Sequence, residues 1–161
     1  MPASVEIYEM AGASVGTDKT SSTVRFKSAD EVAIDYNNRL RVPVAGNTSY
    51  SYTKQLRFHI SVVPSVDIQN LKAYTDGIND FGTGKNVQYD VLDNFITNTN
   101  ANIAGTDLFL KDINSMIDLG AGPYSGVGFI GKFLRMQMVL SSDALPGILN
   151  AEQLTFAYDE T

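Results

Sequence analysis

The sequence contains no cysteine and no tryptophan, and it has fewer basic than acidic residues. The absence of cysteine excludes a thiol nucleophile, a thiolate metal centre and a disulfide framework. The 12 Lys and Arg residues against 18 Asp and Glu residues give a net charge of -6. This balance argues against nucleic-acid binding, because phosphate recognition depends on basic side chains. No apolar run approaches the ~20 residues that cross a bilayer, so we expect no membrane association.

The chain has 161 residues, of which 43% are hydrophobic and 19% charged, as in an ordinary globular protein. A chain of this length buries roughly 70% of its unfolded surface and needs no metal or disulfide to hold a core. With no internal repeat and no linker, residues 1–161 are predicted to form a single domain. The N-terminus lacks the pattern of a secretory signal, so we expect synthesis in a cytoplasm.

The clearest strand signal runs from Tyr50 to Val62, where apolar and polar residues alternate. The even positions carry the apolar side chains, and the odd positions, which include Arg57 and His59, are polar. Lys54 interrupts the apolar row near one end, where we expect its amine to reach solvent. This period of two predicts a strand with one face in the core and one in water.

Shorter segments with the same alternation predict further strands. Residues 39–44 contain a proline, which has no N–H for a ladder, so this piece is predicted to be an edge strand. Residues 127–140 carry apolar residues on both parities, which indicates a strand covered on both faces. The parity of residues 66–74 slips, which predicts a bulge near Gln69 or Asn70. The strands predicted beyond the N-terminal arm are 23–27, 39–44, 50–62, 66–74, 127–140 and 153–159.

Turn-forming clusters of Gly, Asn, Asp and Pro separate these segments. Short alternating strands with such punctuation predict an all-β fold, an antiparallel β-sandwich with one short helical or loop insertion. The insertion is predicted at residues 89–122, as a polar loop followed by a short helix that begins at Thr106–Asp107 and ends at Gly120. Residues 1–20 are predicted to form an extended N-terminal arm with a short strand at Val5–Tyr8.

The candidate chemistry is sparse. His59 is the only histidine, and a catalytic relay needs it beside a carboxylate and a nucleophile. No Gly-x-Ser-x-Gly motif supplies that nucleophile, so His59 is expected to be an exposed or interface residue. The pair Asp76-Gly77 suggests a calcium loop, but no glutamate closes it, which favours a simple turn. We therefore predict no enzyme, and no catalytic, cofactor-binding or metal residues.

The Asn- and Asp-rich run from Asp90 to Asp107 leaves two alternatives open. Its side-chain oxygens suit calcium, although a solvated loop is the simpler interpretation. The same loop, together with the eight tyrosines, suits a carbohydrate-binding or adhesin domain, although such surfaces more often use tryptophan. Saturable binding to a defined sugar, abolished by loop mutations, would favour the adhesin.

A family resemblance is carried by five runs: TVRFKSAD at 23–30, LRVPVAG at 40–46, YSYTKQLR at 50–57, ALPG at 144–147 and LTFAYDE at 154–160. They resemble small β-sandwich structural proteins of tailed bacteriophages, of the decoration or cement type found on the capsid exterior. The resemblance implies a jelly-roll-like sandwich, commonly a homotrimer, that binds the major capsid protein and reinforces the shell. It implies no enzymatic activity and no cofactor.

On this interpretation, the residues expected to contact the partner are Arg39, Arg41, Arg57 and His59, together with the N-terminal arm. Arginine pairs bidentately with carboxylates, which a shell protein can present. The alternative for the arginines is a solvated strand face. Within the virion, a tail or baseplate component also remains an alternative.

Overall fold

The computed structural model describes residues 2–13 and 15–161; Met1 and Ser14, which belong to the predicted arm, lie outside these residues. The described chain contains ten β-strands and one turn of 3-10 helix, Leu108–Leu110. The strands are β1 Ser4–Ala11, β2 Val15–Asp18, β3 Thr48–Tyr50, β4 Lys54–Val62, β5 Ile68–Tyr74, β6 Lys85–Leu92, β7 Thr106–Asp107, β8 Ile117–Gly120, β9 Gly128–Ser141 and β10 Thr155–Glu160. Within the two described ranges, no helix has the length and apolar character that crossing a membrane requires.

The strands form two antiparallel sheets that pack together. The larger sheet has the order β2-β1-β4-β9-β6-β7, and β3 pairs with the C-terminal part of β9. The smaller sheet has the order β10-β5-β8. From β4 onwards the chain crosses repeatedly between the two sheets. The predicted all-β antiparallel sandwich is confirmed.

The core lies between the sheets and follows the alternation of β4. Leu56, Phe58 and Ile60 are buried, as predicted for the even positions of this strand. The ring of Phe58 meets the ring of Phe156 on β10 edge to face, with centroids 5.3 Å apart. Burying a large apolar side chain contributes about 1.5–3 kcal/mol, so these contacts between the sheets stabilise the sandwich strongly.

Strand β9 is covered on both faces, as predicted. Leu134 is fully buried on the core side, and Gln137 is fully buried on the opposite side. Near its start β9 contains a bulge, since its register with β4 shifts by two residues. Gly131 lies in this bulge with a φ of +66°, and a Cβ there would lie 2.5 Å from Leu71 Cδ1. Only glycine fits this approach of the two sheets.

The smaller sheet also follows its predicted pattern. Strand β5 carries a bulge, because its pairing with β10 shifts between Ala157 and Asp159. Asn70 lies in this bulge with a φ of +52°, a backbone conformation that asparagine tolerates better than most residues. The predictions of a bulge near Asn70 and of a strand at the C-terminal end are therefore confirmed.

Two predicted strands, 23–27 and 39–44, are wrong, because neither segment pairs as a strand. Both belong to a long irregular segment, residues 19–47, which we call the strap. Side chains of the strap nevertheless pack against the core, among them Phe26 and Val42. The alternation in these segments records which side chains are buried, and burial does not require a hydrogen-bonded ladder.

Buried lysines fasten the strap to the larger sheet. Lys54 Nζ lies 2.8 Å from Glu9 Oε1 and also donates to the backbone carbonyl of Glu31. Lys19 Nζ lies 3.6 Å from Glu9 Oε2 and donates to the carbonyl of Val32 at 2.8 Å. The prediction that the amine of Lys54 reaches solvent is wrong, because the strap covers it.

The predicted N-terminal arm is instead the hairpin of β1 and β2. Strand β1 pairs with β4 from Ser4 to Met10, so it lies inside the larger sheet. The short strand predicted at Val5–Tyr8 is the middle of β1. The pattern was misleading because Glu9 interrupts it, although Glu9 is buried with lysine partners.

The predicted insertion at residues 89–122 differs in its first half. It begins inside β6, whose alternating residues Val87 and Tyr89 are buried against the core. Because the neighbouring residues are polar, the sequence pattern does not predict this strand. The residues between β6 and β7, 93–105, are irregular as predicted, and we call them the outer cover.

The second half of the insertion contains no α-helix in its described residues, all of 106–122. Asp107 does cap the single 3-10 turn, since its Oδ1 accepts a hydrogen bond from Phe109 N at 2.9 Å. The chain then turns at Asp112, whose Oδ1 accepts from Asn114 N at 2.9 Å, and continues as β8. The predicted helix is therefore wrong, because its last residues pair with β5 as strand β8.

Candidate interaction surface

The face of the larger sheet that points away from the smaller sheet is half covered. The outer cover lies on it and is held by two fully buried glutamines, Gln55 and Gln137. Gln55 Nε2 donates to the carbonyl of Ile96 at 2.6 Å, and Gln137 Nε2 donates to the carbonyl of Ala101 at 2.9 Å. These bonds close one half of the face.

The other half of this face carries a group of rings, which we call the aromatic face: Tyr8, His59 and Phe129, with Arg57 beside them. The register places Arg57 opposite Tyr8 and His59 opposite Phe129, and residues opposite each other share a face. The ring centroids lie 4.9 Å apart for Tyr8 and His59, and 4.8 Å for His59 and Phe129. Phe129 keeps 41% of its surface exposed.

The hairpin supports these rings from the side. Gly16 on β2 lies so close that a Cβ there would be 2.8 Å from Tyr8 Cδ1 and 3.2 Å from Phe129 Cζ. The rings therefore rest on the paired strands β1, β4 and β9 and against β2. These contacts hold the rings in place.

His59 has a carboxylate neighbour, Glu6. Its Nδ1 lies 3.4 Å from Glu6 Oε2, which makes an ion pair when the imidazole is protonated. No described serine or threonine hydroxyl donates to this imidazole. The structure places His59 at a surface, between the rings of Tyr8 and Phe129.

Arg57 is held in a fixed orientation. Its Nε donates to the carbonyl of Gly131 at 3.0 Å, and its guanidinium lies 4.6 Å above the ring of Phe133. Burial lowers the pKa of Arg57 below its ordinary value, although the nearby Tyr124 opposes this effect. Among residues 2–13 and 15–161, no carboxylate pairs with Arg57.

An open cleft of about 480 Å³ adjoins the aromatic face, with Arg57 and Phe129 in its wall. The other lining residues are Asp93, Gly120, Ala121, Gly122, Tyr124, Ile130, Gly131 and Lys132. At its rim Lys132 Nζ lies 3.3 Å from Asp93 Oδ1, and both side chains are exposed. The cleft thus combines an inner cation with apolar and backbone walls.

Arg39 and Arg41 lie elsewhere, on the strap. Arg39 and Arg25 both stack on the ring of Tyr36, at 5.4 and 4.4 Å from its centroid. Arg39 Nε also donates to the carbonyl of Tyr36 at 2.7 Å, and Arg41 is exposed. Tyr36 is 53% exposed, so this group forms a basic surface on an acidic protein.

The structure therefore separates the four predicted contact residues into two surfaces. Sequence reasoning missed Tyr8, Phe129, Arg25 and Tyr36. Tyr8 and Phe129 can be placed beside Arg57 and His59 only when the registers of β1 and β9 with β4 are known. Arg39 and Arg41 are two residues apart, which predicts that they share one face of a strand, but this segment forms no strand.

The carboxylates considered for calcium are engaged within the chain. Asp90 accepts from Arg135 Nε at 2.7 Å, and Asp76 Oδ1 accepts from Ile78 N at 2.9 Å in the turn. Within the described part of the chain, no three His, Cys, Asp or Glu side chains form a group suited to a metal ion.

No protein-family model matches the chain, and comparisons with curated proteins and with solved structures give no match.

Proposed function

We propose that this chain is a structural virion protein without enzymatic activity, a capsid decoration subunit that binds the outside of a shell of major capsid protein and reinforces it. The kind of assembly is taken from the resemblance of the sequence to phage decoration proteins. The protein is made in the host cytoplasm and resides on the capsid exterior. No cofactor takes part.

The aromatic face is the observation that carries this proposal. Protein interfaces concentrate their binding energy in aromatic residues and arginine that a partner can desolvate. Tyr8, His59, Phe129 and Arg57 supply these side chains on a rigid sheet, so little conformational entropy is lost on binding. The outer cover leaves this half of the face open.

The strap surface provides a second contact of different character. Arg25 and Arg39 lie together on the ring of Tyr36, and Arg41 is exposed two residues further along the strap of a chain whose net charge is -6. A basic patch of this kind orients an otherwise acidic protein toward an acidic partner surface. The stacking of two guanidinium groups on Tyr36 holds the patch in place.

The predicted self-association, as a homotrimer, is assigned to an apolar end of the sandwich. The loops there are linked, since Thr75 N donates to the carbonyl of Lys111 at 2.7 Å and Asn150 Nδ2 to that of Asp80 at 3.2 Å. The large apolar side chains that these loops expose are Ile78, Leu110, Ile113, Leu145 and Ile148. Clustering makes second and third attachments to a lattice effectively intramolecular.

The test uses shells assembled from the major capsid protein encoded in the same genome. The wild-type protein is expected to cosediment with the shells and to raise their melting temperature. Phe129→Ala is expected to weaken binding roughly tenfold or more. Tyr158→Ala is the matched control, because Tyr158 is an aromatic residue with 38% of its surface exposed on β10.

Two results would contradict the proposal. The first is a wild-type protein that neither binds the shells nor changes their melting. The second is equal binding by the wild type and Phe129→Ala. The oligomeric state is measured separately by light scattering, and Leu145→Lys with Ile148→Lys is expected to dissociate the oligomer.

A further inference from the structure

Arg57 differs from Lys19, Lys54 and Arg135 in having no carboxylate partner in the described residues. Lys19 and Lys54 pair with Glu9, and Arg135 pairs with Asp90. Removing a charge from water is unfavourable unless an opposite charge or hydrogen bonds replace the solvent. The hydrogen bonds that Arg57 makes are donated by its Nε to the carbonyls of Ile130 and Gly131.

The orientation of Arg57 leaves one edge of its guanidinium available. The bonds from Nε fix one side of the group, and the stacking on Phe133 fixes its plane. In the described chain no acceptor bonds Nη1 or Nη2, and Arg57 lines the cleft. The two terminal nitrogens present parallel N–H donors, which match the two oxygens of a carboxylate.

The rest of the cleft suits a carboxylate on a short carbon chain. Phe129 supplies an apolar wall, and Tyr124 places a phenol near Arg57. Tyr124 is fixed by backbone hydrogen bonds in both directions with Ile68, each 2.9 Å long. The volume of about 480 Å³ is in the range of small-ligand sites.

We propose that this cleft is a carboxylate-binding site, in which Arg57 holds the two oxygens through Nη1 and Nη2. The carboxylate comes either from an acidic side chain of a protein or from a free small carboxylic acid. If it comes from the shell protein, this inference rests on the proposed function; the binding chemistry itself does not.

The experiment titrates the labelled full-length protein with three probes and follows its amide resonances. The probes are N-acetyl-glutamate amide, which carries a side-chain carboxylate, glutarate, which is a free dicarboxylic acid, and N-acetyl-glutamine amide, which is neutral. A carboxylate probe is expected to give saturable shifts at residues 120–124 and 129–132, and the neutral probe none. Binding of only one carboxylate probe identifies the source.

Variants separate recognition from folding. Arg57→Gln is expected to abolish the saturable shifts, and Arg57→Lys to weaken them, because an ammonium group lacks the fork geometry. Lys85→Gln, which removes a cation on β6 outside the cleft and outside both surfaces, is the control and should leave them unchanged. Tyr124→Phe, which keeps the ring, gives a second measure of the site should Arg57→Gln fail to fold, and is expected to reduce the affinity.

The proposal is overturned if neither carboxylate probe binds saturably, or if Arg57→Gln folds and binds them as the wild type does. Competition between the probes and the shells for the protein distinguishes the carboxylate site from the decoration role. Displacement of the protein by N-acetyl-glutamate amide assigns the carboxylate to the shell. Intact probe binding without any shell binding contradicts the decoration role and supports a free small acid as the ligand.

Discussion

Lys54 and Glu9 form an ion pair inside the sandwich, with Nζ 2.8 Å from Oε1 and side-chain exposures of 2% and 1%. The pair joins β4 to β1, and Lys54 also reaches the strap through the carbonyl of Glu31. Three parts of the chain that are distant in sequence meet at this point. The pair therefore specifies how the strap sits on the sheet.

Removal of one partner tests this role. Glu9→Gln leaves Lys54 and Lys19 buried without a counter-charge, and we expect it to lower the free energy of unfolding by about 3–5 kcal/mol. Urea denaturation measures the change. Lys72→Met removes the exposed pair of Lys72 with Asp118 and should cost about 0–1 kcal/mol. Equal effects of the two variants would contradict this account.

Acid stability depends on the strap carboxylates. Asp35 and Glu31 accept hydrogen bonds from Lys27 Nζ at 2.5 and 2.6 Å, which lower the pKa of both carboxyl groups. A lowered pKa stabilises the fold at every pH above the unfolded-state pKa, and the contribution is lost as the pH falls through the folded-state pKa. We expect stability to decline below about pH 4.

The double variant Glu31→Gln with Asp35→Asn checks this assignment. It should be less stable than the wild type at neutral pH, and the two should converge in acid. Chemical denaturation over a pH series gives both curves. If the variant loses as much free energy of unfolding in acid as the wild type does, other carboxylates account for the acid dependence.

The sequence predicted those parts of the fold in which burial and strand pairing coincide. The alternation in β4, β9 and β10 identified real strands, because both hydrogen bonds and core contacts follow a period of two. The strap shows the same alternation at Val24 and Phe26 without a ladder. Buried charges produced the opposite error, since Glu9 made a central strand look like a polar arm.

Substitution of Gly131 tests how closely the two sheets approach. A methyl group there meets Leu71 Cδ1 at 2.5 Å and the carbonyl of Leu119 at 2.6 Å, on a backbone with positive φ. We expect Gly131→Ala to destabilise the protein by about 1–3 kcal/mol through overpacking. Gly126→Ala, with no atom within 4 Å of the added Cβ, should change stability by less than about 0.5 kcal/mol. Thermal unfolding compares the two, and equal melting temperatures would refute the packing argument.

Gln137 holds the outer cover. Gln137→Leu removes its bonds to the carbonyls of Ser51 and Ala101 and from Ile103 N, leaving buried groups unpaired. We expect a loss of about 1–3 kcal/mol and faster amide exchange in residues 96–103. Gln153→Leu, at an exposed position, is the control. Unchanged exchange in the cover would mean that other contacts retain it.

The candidate surfaces were predictable only in part. Arg57 and His59 were correctly placed on one strand face, because side-chain direction follows from alternation alone. Tyr8 and Phe129, which complete that face, lie 49 residues before Arg57 and 70 residues after His59, and only the pairing register brings them there. Arg39 meets Arg25 through Tyr36 in an irregular segment, where no periodicity applies.

The most direct test of the proposed role is hydroxyl-radical footprinting of the protein, free and bound to capsid shells. The account predicts that oxidation of Phe129 and Tyr8 falls on binding, while oxidation of Tyr158 stays the same. Protection of Tyr158 with Phe129 still fully reactive would contradict it, because the aromatic face would then point away from the shell.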